Sequence, residues 1–115
     1  MNFEKKNLSC PFRQTLEILG GKWKFAIINS LLDKGVLRFK ELEREVEGIT
    51  ARMLVKELKL LEQHGIVVRR AFATIPPTVE YELTECGRSL QPIIAAIHDW
   101  GAEHVTQLQS ALSNR

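Results

Sequence analysis

At 115 residues the chain has the size of one domain with one hydrophobic core, and a second domain is not expected. Sixteen Lys and Arg against fourteen Asp and Glu leave a formal charge of +2, too mild for a histone-like or polybasic protein, so the placement of charge must identify any polyanionic partner. The charged start, Met1–Asn7, lacks an apolar run and no stretch approaches the ~20 apolar residues of a bilayer span, so the cytoplasm is the expected compartment and no membrane partner is expected.

In chain order, a first helix is predicted from Pro11, a residue favoured at the first helical position, with Cys10 at the cap. Phe12, Leu16 and Leu19 give it an apolar stripe, and Gly20-Gly21 ends it. From Lys22 to about Lys34, Trp23, Ile27, Ile28, Leu31 and Leu32 predict a core helix that Gly35 terminates. Phe39, Leu42 and Val46 predict a short third helix. The turn Glu47-Gly48-Ile49 follows, and Thr50 caps a fourth helix over about 50–64. Two helices joined by a short glycine-containing turn form the helix-turn-helix arrangement.

The fourth helix carries the main signal. At about 100° per residue, Arg52, Lys56, Lys59 and Gln63 share one sector, while Leu54, Leu58 and Leu61 occupy the opposite side. Glu57 and Glu62 fall outside the basic sector. A helix anchored by three leucines and presenting cations without carboxylates suits the groove of a nucleic acid.

Beyond Gly65 the period changes from helical to alternating. Ile66–Ala73 reads as one strand, and Val79, Tyr81 and Leu83 alternate with Glu80 and Glu82 in a second. Thr74, Ile75, Pro76, Pro77 and Thr78 form a rigid tip between them. The hairpin over about 66–83 is a wing. Thr84 then caps a long helix over about 85–112, in which Pro92 should bend or loosen one turn. Its Leu90, Ile94, Ile97, Gly101, Val105, Leu108 and Leu112 form a stripe that outruns a domain already closed around its own core. A second copy of the helix is the simplest cover, with Trp100 beside the seam and the first helix, through Phe12 and Leu16, packed alongside. Folding back on its own domain is the alternative. The expected fold is mainly α with a small β-hairpin wing: a single winged helix-turn-helix domain over 1–115 with N- and C-terminal dimerisation helices.

Several short motifs recur in one known order. Cys10-Pro11, Gly20-Gly21-Lys22-Trp23, Arg38-Phe39-Lys40-Glu41-Leu42 and Ile49-Thr50-Ala51-Arg52-Met53-Leu54 come first. Leu58, Leu61-Glu62, Gly65-Ile66-Val67, Pro76-Pro77, Val79 through Thr84, Gly87 and Trp100-Gly101 follow. From Cys10 to about His104 this pattern resembles the HxlR-type, MarR-like winged helix-turn-helix transcriptional regulators. The resemblance implies a homodimeric regulator of operator DNA, in some members responsive to oxidants or electrophiles through the cysteine before the first helix's proline. Cys10 holds that position. Cys86 lies where the family varies, and no sensor role transfers to it.

A recognition helix enters the major groove by its amino end, which places Thr50, Ala51, Arg52, Met53 and Lys56 near bases. Arg52 suits a bidentate contact to guanine, Lys56 and Lys59 suit bases or phosphates, and Thr50 combines a cap with a phosphate contact. Met53 either meets a thymine methyl or packs inward. Arg69 and Arg70 point to opposite strand faces, so at most one faces DNA, and Arg70 is taken as that residue. Thr74, Ile75 and Thr78 are placed for backbone or minor-groove contact, or else form an ordinary hairpin turn. Two-fold symmetry predicts double-stranded operator DNA with an inverted repeat. The other function class open to this fold is a winged-helix module that binds protein without an operator.

Two cysteines make neither a disulfide framework nor a metal spacing. Helix starts favour thiolates through unpaired N–H groups, and with Arg13 and Lys6 near in sequence Cys10 is the candidate sensor. Its competing role is packing at a helix entrance, and Cys86 is expected to pack beneath the wing. His64, His98 and His104 have no metal spacing, no phosphate loop follows a strand, and no nucleophile elbow is present. No cofactor, metal site or catalytic activity is expected.

Overall fold

The computed structural model describes residues 10–113. The amino-terminal segment, with the Lys6 that sequence puts near Cys10, lies outside the described residues, as do the final two residues. Helix α1 (Pro11–Leu19) is followed by α2 (Lys24–Lys34), strand β1 (Val36–Arg38), α3 (Phe39–Glu45) and α4 (Ala51–Gln63). Strands β2 (Val67–Phe72) and β3 (Thr78–Leu83) precede the short α5 (Glu85–Arg88) and the long α6 (Gln91–Ser113).

The core forms where α2, α3 and α4 turn their apolar faces together and the sheet closes one side. Ile27, Ile28, Leu42, Leu54 and Leu61 lose all solvent contact, and Leu37, Tyr81 and Leu83 come from the sheet. Burying a side chain of this size contributes about 1.5–3 kcal/mol, so the three inward leucines of α4 hold that helix at a fixed roll. The turn before α4 needs Gly48, whose φ of +88° is costly for any residue with a Cβ. Thr50 then caps α4 by accepting the Met53 N–H at 3.1 Å.

Three features depart from the sequence expectation. The wing is part of a three-stranded antiparallel sheet in the order β1-β3-β2, with Leu37 opposite Tyr81 and Arg69 opposite Tyr81 on its other side. A strand as short as Val36–Arg38 has no period to read. Helix α2 starts two residues later than expected, with Trp23 as its N-cap.

The expected single final helix is divided at Ser89-Leu90. Pro92 becomes the second residue of α6, where its missing N–H has no carbonyl to serve. Leu90 is consequently turned into the protomer's own core at 9% exposure and Ile94 packs against that core. These two leave the intersubunit seam predicted for them.

The α4–sheet–α5 junction is pinned by Thr84. Its hydroxyl donates to the Gly65 carbonyl at 2.6 Å and accepts the Gly87 N–H at 3.1 Å. Gly87 allows this approach, since a Cβ there would sit 2.3 Å from the Ile66 carbonyl oxygen.

Candidate nucleic-acid interface

The exposed side of α4 matches the basic sector of its helical wheel. Arg52, Lys56, Lys59 and Gln63 are exposed, as are Thr50 and Ala51 at the amino end, while Leu54, Leu58 and Leu61 are buried. Among the described residues, no ion pair within 4.0 Å involves Arg52, Lys56 or Lys59. Their charge is therefore available to a polyanion. Met53, read as either outward or inward, is 40% exposed, which leaves its thioether able to touch a ligand in the groove.

Glu57 is kept from that face by a contact the sequence reading did not identify. Its Oε1 accepts a hydrogen bond from Lys24 Nζ at 2.9 Å, with both side chains about nine-tenths buried. The pair ties the first turn of α2 to the flank of the recognition helix. An unpaired lysine in an otherwise apolar stretch, Lys24-Phe25-Ala26-Ile27-Ile28, was the only available signal.

The arginines of β2 are arranged differently from the sequence reading. Arg70, taken there as the DNA-facing residue, lies on the outer sheet face and pairs with Glu82, with Glu80 opposite it in the register. Two carboxylates on that face oppose a role in phosphate binding. Arg69 is instead on the face turned to α4, where it lines a hollow of about 470 Å³ with Phe39, Val55, Leu58, Lys59, Glu62 and Tyr81. The assignment therefore shifts from Arg70 to Arg69, because Tyr81 fixes which strand face looks inward.

The wing tip is internally bonded. Thr74 Oγ1 donates to the Pro76 carbonyl at 2.7 Å and lies 3.3 Å from Thr78 Oγ1. Ile75 stands fully in solvent. Just past the tip, at the start of β3, a cleft of about 480 Å³ separates the wing from the start of α3, lined by Arg38, Phe39, Lys40, Glu41, Arg44, Pro77, Thr78 and Val79. Glu41 is partly engaged, accepting the Arg38 backbone N–H at 2.7 Å. Three cations and one acid line this cleft; Lys40 Nζ is 3.9 Å from Glu43 Oε1, and Arg38 and Arg44 are outside any ion pair among the described residues. Arg38, Lys40 and Arg44 are not legible as a cluster in the sequence because the cleft exists only once the wing is folded beside α3.

Away from the basic surface, α6 has no buried residue along its 23 positions. Ile93, Ile97, Trp100, Val105, Leu108 and Leu112 are 40–67% exposed, and Phe12 and Leu16 of α1 are exposed too. Pro92, Ile93, Ala96, Ile97 and Trp100 line an apolar hollow of about 480 Å³. Gly101 is half-buried, and a Cβ there would meet only Val105 Cγ2 at 3.5 Å. The exposed ridge is set one residue from the predicted stripe in the first half of the helix.

Of the two cysteines, only Cys86, expected to pack beneath the wing, departs from its expected environment. Cys10 is buried at the N-cap of α1, and Cys86 is exposed on α5. No group of three or more His, Cys, Asp or Glu able to hold a metal ion occurs among the described residues. His64 and His104 each place Nδ1 3.0 Å from a carbonyl one helical turn earlier. No described helix is long and apolar enough to cross a membrane.

The family model described as HxlR-like helix-turn-helix matches residues 18–109. The HTH-type transcriptional regulator YybR of Bacillus subtilis (strain 168) is 43% identical over 116 aligned positions, covering 96% of this chain and 92% of YybR. Among solved structures, the redox regulator HypR in its reduced form superimposes with a TM-score of 0.81 at 42% identity, over 88% of this chain and 99% of that one. Its oxidised form gives 0.77 at 44% identity, over 83% and 97%.

Proposed function

The chain belongs to the HxlR-like helix-turn-helix family, and from that membership we propose how this DNA-binding transcriptional regulator reads its target. It acts as a homodimer on an inverted-repeat operator, with α4 of each protomer in a major groove and the wing over the flanking backbone. The observation that carries this reading is the surface of α4, where Arg52, Lys56 and Lys59 are exposed and outside any ion pair while three leucines fix the helix roll. Arg52 makes the guanine contact, Lys56 and Lys59 meet bases or phosphates, and Thr50, Ala51 and Met53 line the amino-end approach. Arg69 supports the flank beside Lys59, and Thr74, Ile75 and Thr78 bring the wing to the duplex.

The dimer reading rests on the uncovered apolar ridge of α6 and on Phe12 and Leu16 of α1. Ile97, Trp100, Val105 and Leu108 form its centre, with Gly101 giving room for close approach and Ile93 joining them in place of Leu90 and Ile94. Two-fold symmetry would set the recognition helices about 34–36 Å apart, one helical turn of DNA. Cys10, at the entrance of α1, is the proposed thiol sensor, supported by its position before Pro11 and by the likeness to a redox regulator. A disulfide between the Cys10 thiol and a second thiol, each giving one proton and one electron to an oxidant such as a peroxide that is reduced to water or an alcohol, would alter the packing of α1 and thereby the spacing of the reading heads. The expected setting is the cytoplasm, without catalysis.

Selection of bound duplexes from a randomised pool, with reduced and oxidised protein in parallel, tests partner, symmetry and thiol response together. An enriched palindrome whose binding weakens steeply with salt is the expected result. No enrichment, with a folded dimer, overturns the operator reading.

A further inference from the structure

Ile75 is a large aliphatic side chain held completely in solvent at the end of a hairpin. The tip around it offers few hydrogen-bond donors. Pro76 and Pro77 lack N–H groups, and the Thr74 hydroxyl is engaged with the Pro76 carbonyl and beside Thr78. Such a tip is poorly equipped to read base edges by hydrogen bonds. It also stays in place, because the two prolines and the Thr74 contacts restrict the loop.

The start of β3, just past the tip, has the opposite chemistry. Pro77 and Thr78 form one wall of the cleft whose other wall carries Arg38, Lys40 and Arg44. A sugar-phosphate strand fits that charge. Ile75 lies two residues beyond Pro77, a reach of at most about 7 Å, which is comparable with the ~6 Å width of a minor groove. With the backbone in the cleft, Ile75 is within reach of the neighbouring groove.

Resting on the operator-binding reading above, we propose that the wing is a wedge: the α3–wing cleft grips the DNA backbone while Ile75 enters the minor groove and parts a base step. Apolar wedges of this kind unstack a step and kink the duplex by about 20–90° toward the major groove. The wing then contributes to specificity through the deformability of the flanking sequence, favouring flexible pyrimidine–purine steps outside the bases read by α4.

The test uses the full-length protein and a duplex it selects from a randomised pool, with 2-aminopurine placed at successive flanking steps and the bend measured by circular permutation. The wild-type protein should brighten 2-aminopurine at one step in each half-site and bend the DNA. Ile75→Ser should lose both signals and bind the selected duplex more weakly, and Ile75→Leu should retain both signals. Because the side chain touches nothing in the protomer, neither variant endangers the fold. A selected duplex that stays straight and silent, or that bends equally with Ile75→Ser, overturns the wedge and leaves the regulator reading intact. Failure to select any duplex overturns both.

Discussion

Lys24 and Glu57 form the only ion pair among the described residues in which both side chains are almost fully shielded, with Nζ and Oε1 2.9 Å apart. The pair joins α2 to α4 at the flank of its exposed cationic side. Removing one member of a buried pair leaves the other charge desolvated and unpaired, at a cost of about 3–5 kcal/mol, whereas replacing both with apolar residues is often near neutral. Lys24→Met should therefore lower stability to denaturant by that order, and Lys24→Met with Glu57→Leu should recover most of it. A single variant as stable as the wild type would show that the pair contributes nothing to holding α4.

Arg52 and Lys59 should differ in kind. If Arg52 makes the proposed bidentate guanine contact, Arg52→Ala should relax preference at one position of each half-site by about 1–3 kcal/mol. Lys59→Ala should weaken all duplexes more evenly and reduce the salt slope by about 1. Binding isotherms across a salt series with operator and mismatched duplexes check both. Unchanged affinity in both folded variants would falsify the assignment of this face.

The α6 ridge predicts an obligatory second subunit. Trp100 is stacked on His104, with ring centroids 4.6 Å apart, yet remains 56% exposed. Buried aromatics at interface centres contribute about 2 kcal/mol or more, so Trp100→Ala should weaken dimerisation more than tenfold. Ile97→Asp should give monomers. Sedimentation velocity at micromolar concentration reads the outcome, and a stable wild-type monomer rejects the interface.

Cys10 is sheltered and Cys86 is open. Mild oxidation should lower operator affinity in the wild type and in Cys86→Ser, and should have no effect on Cys10→Ser. If the response instead follows Cys86, or is absent from the wild type, the sensor assignment fails.

Gly87 offers a test of the junction that aims α4 and the wing. A Cβ would lie 2.3 Å from the Ile66 carbonyl oxygen and 2.9 Å from Leu83 Cδ2. Since one of these atoms is backbone, Gly87→Ala must displace the chain, with a loss of about 1–3 kcal/mol typical of overpacking. Thermal unfolding checks it.

Helical periodicity and local chemistry were sufficient for the parts of this protein that depend on near neighbours. The leucine and cation faces of α4, the Thr50 cap, the Gly48 turn and the alternating strand at Val79–Leu83 are all governed by residues within about one turn or one pleat of each other. The family motifs added the order in which these pieces occur. The uncovered face of α6 was legible as an unspent apolar stripe, but its exact phase was not, because the stripe was drawn through residues 85–112 as one helix.

What required the tertiary structure were relations between distant segments. Lys24 meets Glu57 across 33 positions, β1 exists only because β3 pairs with it, and the Arg38–Lys40–Arg44 cleft needs the wing beside α3. The break at Ser89-Leu90 commits Leu90 to the core, and Tyr81 decides that Arg69 rather than Arg70 looks toward the recognition helix. A sequence records which side chains share a helix or strand face. Which face is buried at a junction, and which charge finds a partner, is set by packing between elements, a non-local energy that no short window contains.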